Sequence, residues 1–451
     1  MAMGRRKPKQ GELWIPTQDL PTSPGHPFYR KLNALLDEAG FDRFVEELCE
    51  PHYAKHQGRP SIPPGVYFRM LLIGYFEGLD SQRGIAWRCS DSRSLQEFLG
   101  YLPTQATPDH SSLTVIRERL SEVVHEQVFA WVLGLAQKKK LLAGKTVATD
   151  ATFLEANAAM KSIERKDSGE DYKAYLKRLA KDAGIEDPTD EDLRRFDKKR
   201  PDKKVSNEEW QSRTDPDSRI AKMKDGTTHL AYKAEHVVDL DSNLILAAEI
   251  YHANEGDPDT LLSSVGTAQL NLIRAESKTD IENVAADKGY HKAATLAECA
   301  EAGWRTYIPE RKRHDRHRWH DKPPEQEAAF RANRRRVRGA RSKRLQRRRS
   351  EFVERTFAHM CETGGARRSW LCGLEKVSKR YLMHAAAHNL GLLMRKLFGM
   401  GTPRGLQSPR SGLALWFWML MKLWLIPAAE AWRRFYLRRL NSLNDIIQNA
   451  A

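Results

Sequence analysis

Along the first third of the chain, apolar residues recur at intervals of three and four. Leu32, Leu35 and Leu36 do so, as do Phe68, Leu71, Leu72, Tyr75 and Phe76, and this spacing lines one stripe of an α-helix. Gly58 to Pro64 stops one such run and starts another, because Pro fits the first helical turn; Thr107 to Ser111 does the same ahead of a helix expected over Leu113 to Val123. Residues 27–142 are therefore expected to form an all-helical domain, behind a polar, Pro- and Gly-rich lead-in over residues 1–26.

At Lys145 the period changes. Thr146 to Phe153 is short, rich in β-branched residues and bounded by Gly144, so it reads as a strand. Further strands follow at His229 to Val238 and Leu244 to Tyr251, joined by a hairpin loop over residues 239–243. A helix is expected from Asp259 to Ala275, then a strand ending at Asp287, a helix from Lys292 to Ala302 and a strand at Trp304 to Ile308. Helices over Phe352 to Met360 and Val377 to Phe398 complete an α/β domain at residues 143–398 with a mixed sheet and the order βββαβαβα.

Two polar segments interrupt that order. Residues 161–225 are charged with mixed signs and predict an insertion that buries little, with one local helix around Tyr172, Tyr175 and Leu176. Residues 311–350 hold 17 Lys or Arg against 4 Asp or Glu. The whole 451-residue chain has a formal charge of +16, so most of the excess comes from this one stretch, which suits a polyanionic partner. Its aromatic residues are sparse, only Trp319 and Phe330. Phosphate neutralisation by Arg334, Arg335, Arg336, Arg338, Arg341, Arg344, Arg347, Arg348 and Arg349 is thus a better account than base stacking.

The five cysteines are scattered and never in CxxC spacing, which indicates neither a disulfide framework nor a zinc finger and fits a reducing cytoplasm. In the tail, residues 399–451, the apolar stretch Leu413 to Pro427 is broken by Lys422 and falls short of the ~20 residues a bilayer span needs. It predicts an amphipathic or buried helix, with no membrane partner.

Asp150 lies in the middle of an otherwise small or apolar strand, where a carboxylate is costly to bury unless paired, hydrogen-bonded or bound to a cation; an edge strand with one wet face is the alternative. Asp287 ends the run Val284, Ala285, Ala286 and precedes Gly289, either as a turn initiator or at the sheet edge where open α/β folds place ligands. Glu354 sits on the helix directly after the basic run. Three carboxylates without an accompanying Cys or His set suit Mg²⁺ or Mn²⁺ rather than zinc, and two such ions ~4 Å apart would serve an in-line phosphoryl transfer.

The stretches GRPSIPP, MLLIGYFEG, TPDHSSLTVIRERL, TVATDATFLEANAAMKS, AYKAEHVVD, ADKGYH, VERTFAH and LEKVSKRYLMHAAAHNLG, in that order between Phe28 and Phe398, resemble bacterial insertion-sequence transposases of the DDE class. They are most similar to the group named after insertion sequence 1182. The resemblance implies an RNase H-like catalytic domain, a helical domain that recognises DNA ends, and metal-dependent cleavage followed by strand transfer. It places the catalytic and metal-holding carboxylates on Asp150, Asp287 and Glu354, with Asp150 bridging both ions. Related transposases often carry Tyr and Arg seven and four residues before this Glu and Lys seven after; here those positions are Arg347, Ser350 and Cys361. Counting from Glu351 restores only the Arg, at Arg347, so Glu351 stays open as the third acid.

Lys288 and Arg355 flank the candidate acids and are expected to meet phosphates. His110 reads as a helix-start residue, and His236, His252, His384 and His388 as core or surface residues without ligand spacing. The implied partners are transposon terminal repeats and target DNA, with a homo-oligomer in the DNA complex and a cytoplasmic, nucleoid-associated location. A stand-alone metal-dependent nuclease and a non-catalytic DNA-binding derivative are the competing readings.

Overall fold

The computed structural model describes residues 24–54, 61–201, 205–223, 225–311 and 323–406. Most of the lead-in, Trp319 and the apolar helix expected at 413–427 lie outside the described residues.

The N-terminal region is helical: α1 (Pro27–Glu38), α2 (Phe41–Cys49), α3 (Pro64–Glu77), α4 (Gln82–Asp91), α5 (Arg93–Phe98), α6 (His110–Arg119) and α7 (Glu122–Lys138). The punctuation works as its chemistry dictates. α1 and α3 begin on Pro27 and Pro64, and α3 ends where Gly78 adopts φ +66° and the Leu79 N–H returns to the Gly74 carbonyl at 2.7 Å. Asp109 caps α6 by accepting the Ser111 N–H at 2.9 Å. The helix expected over Leu113 to Val123 is instead two, since Leu120 and Ser121 are extended between α6 and α7.

The sheet is mixed. Its strands are β1 (Thr146–Glu155), then β2 (Ile163–Arg165), β3 (Trp210–Ser212) and β4 (Arg219–Lys222) from the insertion, β5 (Thr228–Asp239), β6 (Ile245–His252), β7 (Asn283–Ala285) and β8 (Arg305–Tyr307). β5 pairs antiparallel with β1, β4 and β6, whereas β7 is parallel to both β1 and β8. β1 is therefore central in the sheet over Thr146–Ala148, while at Asp150 it is paired with β5 alone and is part-exposed. α8 (Tyr172–Asp182) and α9 (Asp190–Lys199) belong to the insertion; α10 (Asp257–Arg274) and α11 (Ala293–Glu301) follow β6 and β7; α12 (Pro324–Val337), α13 (Ala340–Ala358) and α14 (Leu374–Phe398) close the chain. α14 packs against α3, α7 and β6, so the helical region and the sheet share one continuous apolar core.

Two expectations need correction. The insertion does bury little, as expected, but it has more than one local helix: it forms α8, α9, the β2–β3 ribbon and the edge strand β4. Trp210 is buried against Tyr172 and Tyr175, and Arg165, Arg178 and Arg200 lie over the Tyr175 ring. Aromatic–guanidinium packing thus replaces the aliphatic residues this segment lacks. Its Asp215 is buried and accepts from the Tyr232 hydroxyl at 2.7 Å and the Gly373 N–H at 3.0 Å, while Asp217 accepts the Leu374 N–H at 2.9 Å. These two acids cap the start of α14, tying the insertion to the core. The described part of the basic segment forms α12 and the first half of α13, so the helix expected to begin at Phe352 begins at Ala340, and the second half of the arginine run, from Arg341, shares it with Glu354.

Candidate active site

On β1, Val147, Ala148 and Thr149 are buried and Asp150 begins the part-exposed end. Ala148 pairs with Ala285 on parallel β7. Asp150 and Asp287 each follow that pair by two residues, so strand alternation sets them on one face at the same end of neighbouring strands. The turn after β7 is fixed by the acid itself: the Asp287 carboxylate accepts the Gly289 N–H, capping the single turn Lys288–Tyr290. A Cβ on Gly289 would lie 2.7 Å from an oxygen of both Asp287 and Asp257, so a larger residue here would push the two carboxylates off this backbone. Arg311 braces the turn by donating to the carbonyls of Lys288 and Gly289 at 3.2 and 2.7 Å.

α13 crosses the face that carries Asp150. Gln346 donates to the carbonyls of Ala286 and Tyr307 at 3.0 and 2.6 Å, Arg349 meets Asp150 at 2.6 Å, and Val353 is buried. Thr356 bonds His236 Nδ1 at 2.8 Å; His236 is the β5 partner of Asp150 in register, and its Nε2 meets the Tyr381 hydroxyl at 2.8 Å. Burial holds the His236 pKa well below its ordinary value, with His388 adding to the depression, so this imidazole is a neutral bracket between β5, α13 and α14.

Glu354 is exposed and accepts from the Ser350 hydroxyl at 3.0 Å; Glu351 is exposed and pairs with Arg355 at 2.7 Å. At 100° per residue, Glu354 lies about 80° around the helix from Gln346 and Glu351 about 140°. Measured from Arg349, which meets Asp150, the two lie about 140° and 160° around α13, so both glutamates are on its outer, exposed side. Among the described residues, no three His, Cys, Asp or Glu side chains stand close enough together to hold a metal ion. The structure thus sets the two aspartates side by side and leaves Glu354 apart from them. Two carboxylates at neighbouring strand ends nonetheless fit a hard divalent cation, and Arg349 supplies positive charge to Asp150 here.

The proposed phosphate-binding cations divide into two groups. Lys288, Arg335, Arg338, Arg341, Arg344 and Arg347 are exposed, and none forms an ion pair among the described residues. The others already have partners. Arg334 makes two 2.6 Å bonds to Glu310, and Arg336 is half-buried on the Thr306 carbonyl at 2.9 Å, its pKa lowered by burial. Arg348 bonds the Leu240 carbonyl and Asp241, Arg349 holds Asp150, and Arg355 holds Glu351. Arg336 and Arg348 are thereby braces of the fold, which a run of arginines read as sequence does not reveal.

A polar network beneath the other face escaped the sequence reading. Lys233, 2% exposed, reaches Asp257 at 3.0 Å, Thr260 at 2.9 Å and Glu235 at 3.4 Å. Glu235 also accepts from the Thr260 and Tyr290 hydroxyls at 2.7 and 3.0 Å. Burial raises the pKa of both Glu235 and Tyr290. The visible signal was a Lys and a Glu at alternate positions of the apolar strand AYKAEHVVD.

A model of the transposase domain DUF772 matches residues 17–119, and a model of the transposase DDE domain matches residues 148–390, over half of the chain. The chain belongs to the DDE transposases. No curated protein and no solved structure matches it. Membership implies an RNase H-like catalytic fold and a DNA partner, and the mixed sheet behind a helical N-terminal region agrees with the first. DDE transposases generally use divalent metal ions. Among its described residues this transposase has no helix long and apolar enough to cross a membrane.

Proposed function

We propose that this transposase cleaves DNA at the ends of a mobile element of the insertion sequence 1182 group and transfers the freed 3′-hydroxyl into target DNA. The observation that carries the proposal is the placement of Asp150 and Asp287, each two residues past the paired Ala148 and Ala285, on one face of adjacent parallel strands. Asp150, Asp287 and Glu354 would hold two Mg²⁺ or Mn²⁺ ions, which when bound lower the pKa of the attacking oxygen and offset charge on the leaving one. Glu354 is preferred to Glu351 on the resemblance of VERTFAH to the family's motif; completing the set would exchange its Ser350 contact.

The chain's own groups do the positioning. Gly289 and Arg311 fix the backbone that presents Asp287, and His236 fixes α13 over Asp150. Lys288, Arg335, Arg338, Arg341, Arg344 and Arg347 offer exposed charge to the DNA backbone, whose attraction falls steeply with salt. The helical region that matches DUF772 recognises the transposon ends, and a second copy completes the DNA complex.

The test uses the purified chain, Mg²⁺ and labelled duplex carrying the DNA that flanks the gene. Wild type should cut the ends and yield products joined to a target plasmid, whereas Asp150→Asn and Asp287→Asn should yield neither cuts nor joins. Undiminished cutting by either variant overturns the assignment. Cutting without joined products points to a nuclease, and an active Glu354→Gln with a dead Glu351→Gln moves the third acid by one turn.

A further inference from the structure

Between α3, α4 and α6 on one side and α14 on the other lies a cavity of about 240 Å³, away from the paired aspartates. Arg83, Arg117, Lys379 and Arg380 line it, and Asp80 is its one acidic lining residue. Asp80 accepts from the Trp370 indole at 2.7 Å. Arg117 and Lys379 are 8% and 4% exposed. Lys379 is neutralised by Glu375 at 2.6 Å, but among the described residues Arg117 has only Glu118 at 3.7 Å as an ion-pair partner, and Arg380 donates to the uncharged Gly365 carbonyl at 3.2 Å.

Two polar atoms here lack a partner among the described residues: Nε of Arg117 and Nδ1 of the buried His384. Burial lowers the Arg380 pKa to about 10, with Asp80 opposing and Arg117 adding to the fall. A buried guanidinium with an idle Nε donor, beside a second, part-buried one held only by a carbonyl, forms an arrangement that an anion stabilises. The rest of the wall is apolar, including Leu71, Ile85 and Met383, and Trp370 stands 47% exposed at the rim. Such a wall suits a flat ring stacked on an aromatic. The volume has no room for a duplex.

We propose that this cavity binds a single nucleotide, with its phosphate on Arg117 and Arg380 and its base against Trp370 and the apolar wall. The chemistry is shared by a free mononucleotide and by the unpaired terminal nucleotide of a DNA strand. The assignment rests on the DNA-processing reading of the protein, but it concerns a site separate from the carboxylates, joining the helical region to α14.

The experiment is calorimetric titration of the full chain in EDTA with thymidine 5′-monophosphate, thymidine and inorganic phosphate. The nucleotide should bind saturably, and thymidine and phosphate should each bind at least about tenfold more weakly, since one lacks the charge and the other the ring. Thymidine or phosphate binding as tightly as the nucleotide overturns the proposal, with no variant needed. Arg380→Gln and the cavity-filling Leu71→Trp, each checked for an unchanged unfolding temperature, should weaken the nucleotide at least about tenfold; unchanged affinity in both overturns it.

Competition by a 5′-phosphorylated oligonucleotide with an unpaired end identifies the strand end as the source, and failure of that competition identifies the free nucleotide. A chain that cuts ends in Mg²⁺ but binds no nucleotide in EDTA overturns this inference alone. A chain that binds nucleotide but never cuts overturns the transposition mechanism alone.

Discussion

On the α13 face of the sheet, Asp150 meets Arg349 at 2.6 Å with the two side chains 25% and 14% exposed. On the α10 face, Glu235 meets Lys233 at 3.4 Å with exposures of 0% and 2%, inside a ring of bonds from Thr260, Tyr290 and Asp257. Both pairs sit near the same end of β1 and β5, yet their surroundings give them different work. The first is reached by water, so another cation can replace Arg349 and a phosphate can draw it away. The second is sealed, and neither partner can leave without stranding the other. The exposed pair is the one suited to chemistry, and the sealed pair holds the strands beneath it.

The largest expected effect follows from breaking the sealed pair. Lys233→Met removes four contacts at once and leaves Glu235 buried, its Oε1 already without a partner among the described residues. Loss of one member of a buried pair costs about 3–5 kcal/mol. Urea unfolding of the variant should show a drop in that range, and a drop below about 1 kcal/mol would mean that the network is not a structural anchor.

A pH experiment sharpens the contrast further. Glu249 is the β6 partner of Glu235, and burial pushes its pKa up to about 7 from an ordinary 4.5, with Glu126, Glu122 and Glu235 adding repulsion. The folded chain then keeps a proton on Glu249 that the unfolded chain releases near pH 4.5. The native state binds more protons in that window, so this contribution is present at low pH and is lost as pH rises through 7. Its size is at most about 3 kcal/mol. Glu249→Gln should flatten the fall in stability between pH 5 and 7 and raise stability at pH 8; an unaltered pH profile would dispose of the idea.

The sequence makes some of this contrast readable and hides the rest, for physical reasons. Asp150 and Asp287 stand out because a carboxylate interrupts, or ends, a small-residue strand, and that pattern is local. Helix starts at Pro27, Pro64 and Asp109 are legible for the same reason. Lys233 and Glu235 look like ordinary alternating polar positions, because what seals them is α10, which follows β6. The insertion misleads because composition counts aliphatic residues, whereas its packing relies on Trp210, Tyr175 and arginine side chains. Within the arginine run, residue type is uniform while role is not: Arg336 and Arg348 reach carbonyls of the fold, and Arg344 and Arg347 stay exposed.

The smallest stability effect belongs to the exposed pair, and it discriminates best. Arg349→Gln removes the charge opposite Asp150, but a partly solvated pair of this kind contributes only about 0–1 kcal/mol. Urea unfolding should therefore register little, in contrast with Lys233→Met. Mn²⁺ titration by calorimetry should register more. If Arg349 competes with a divalent cation for the Asp150 carboxylate, its removal raises Mn²⁺ affinity, and Asp150→Asn in the same background removes that gain. Weaker Mn²⁺ binding in Arg349→Gln would instead make the arginine a support for the metal-holding geometry, and a stability loss of several kcal/mol would place the two pairs in the same class.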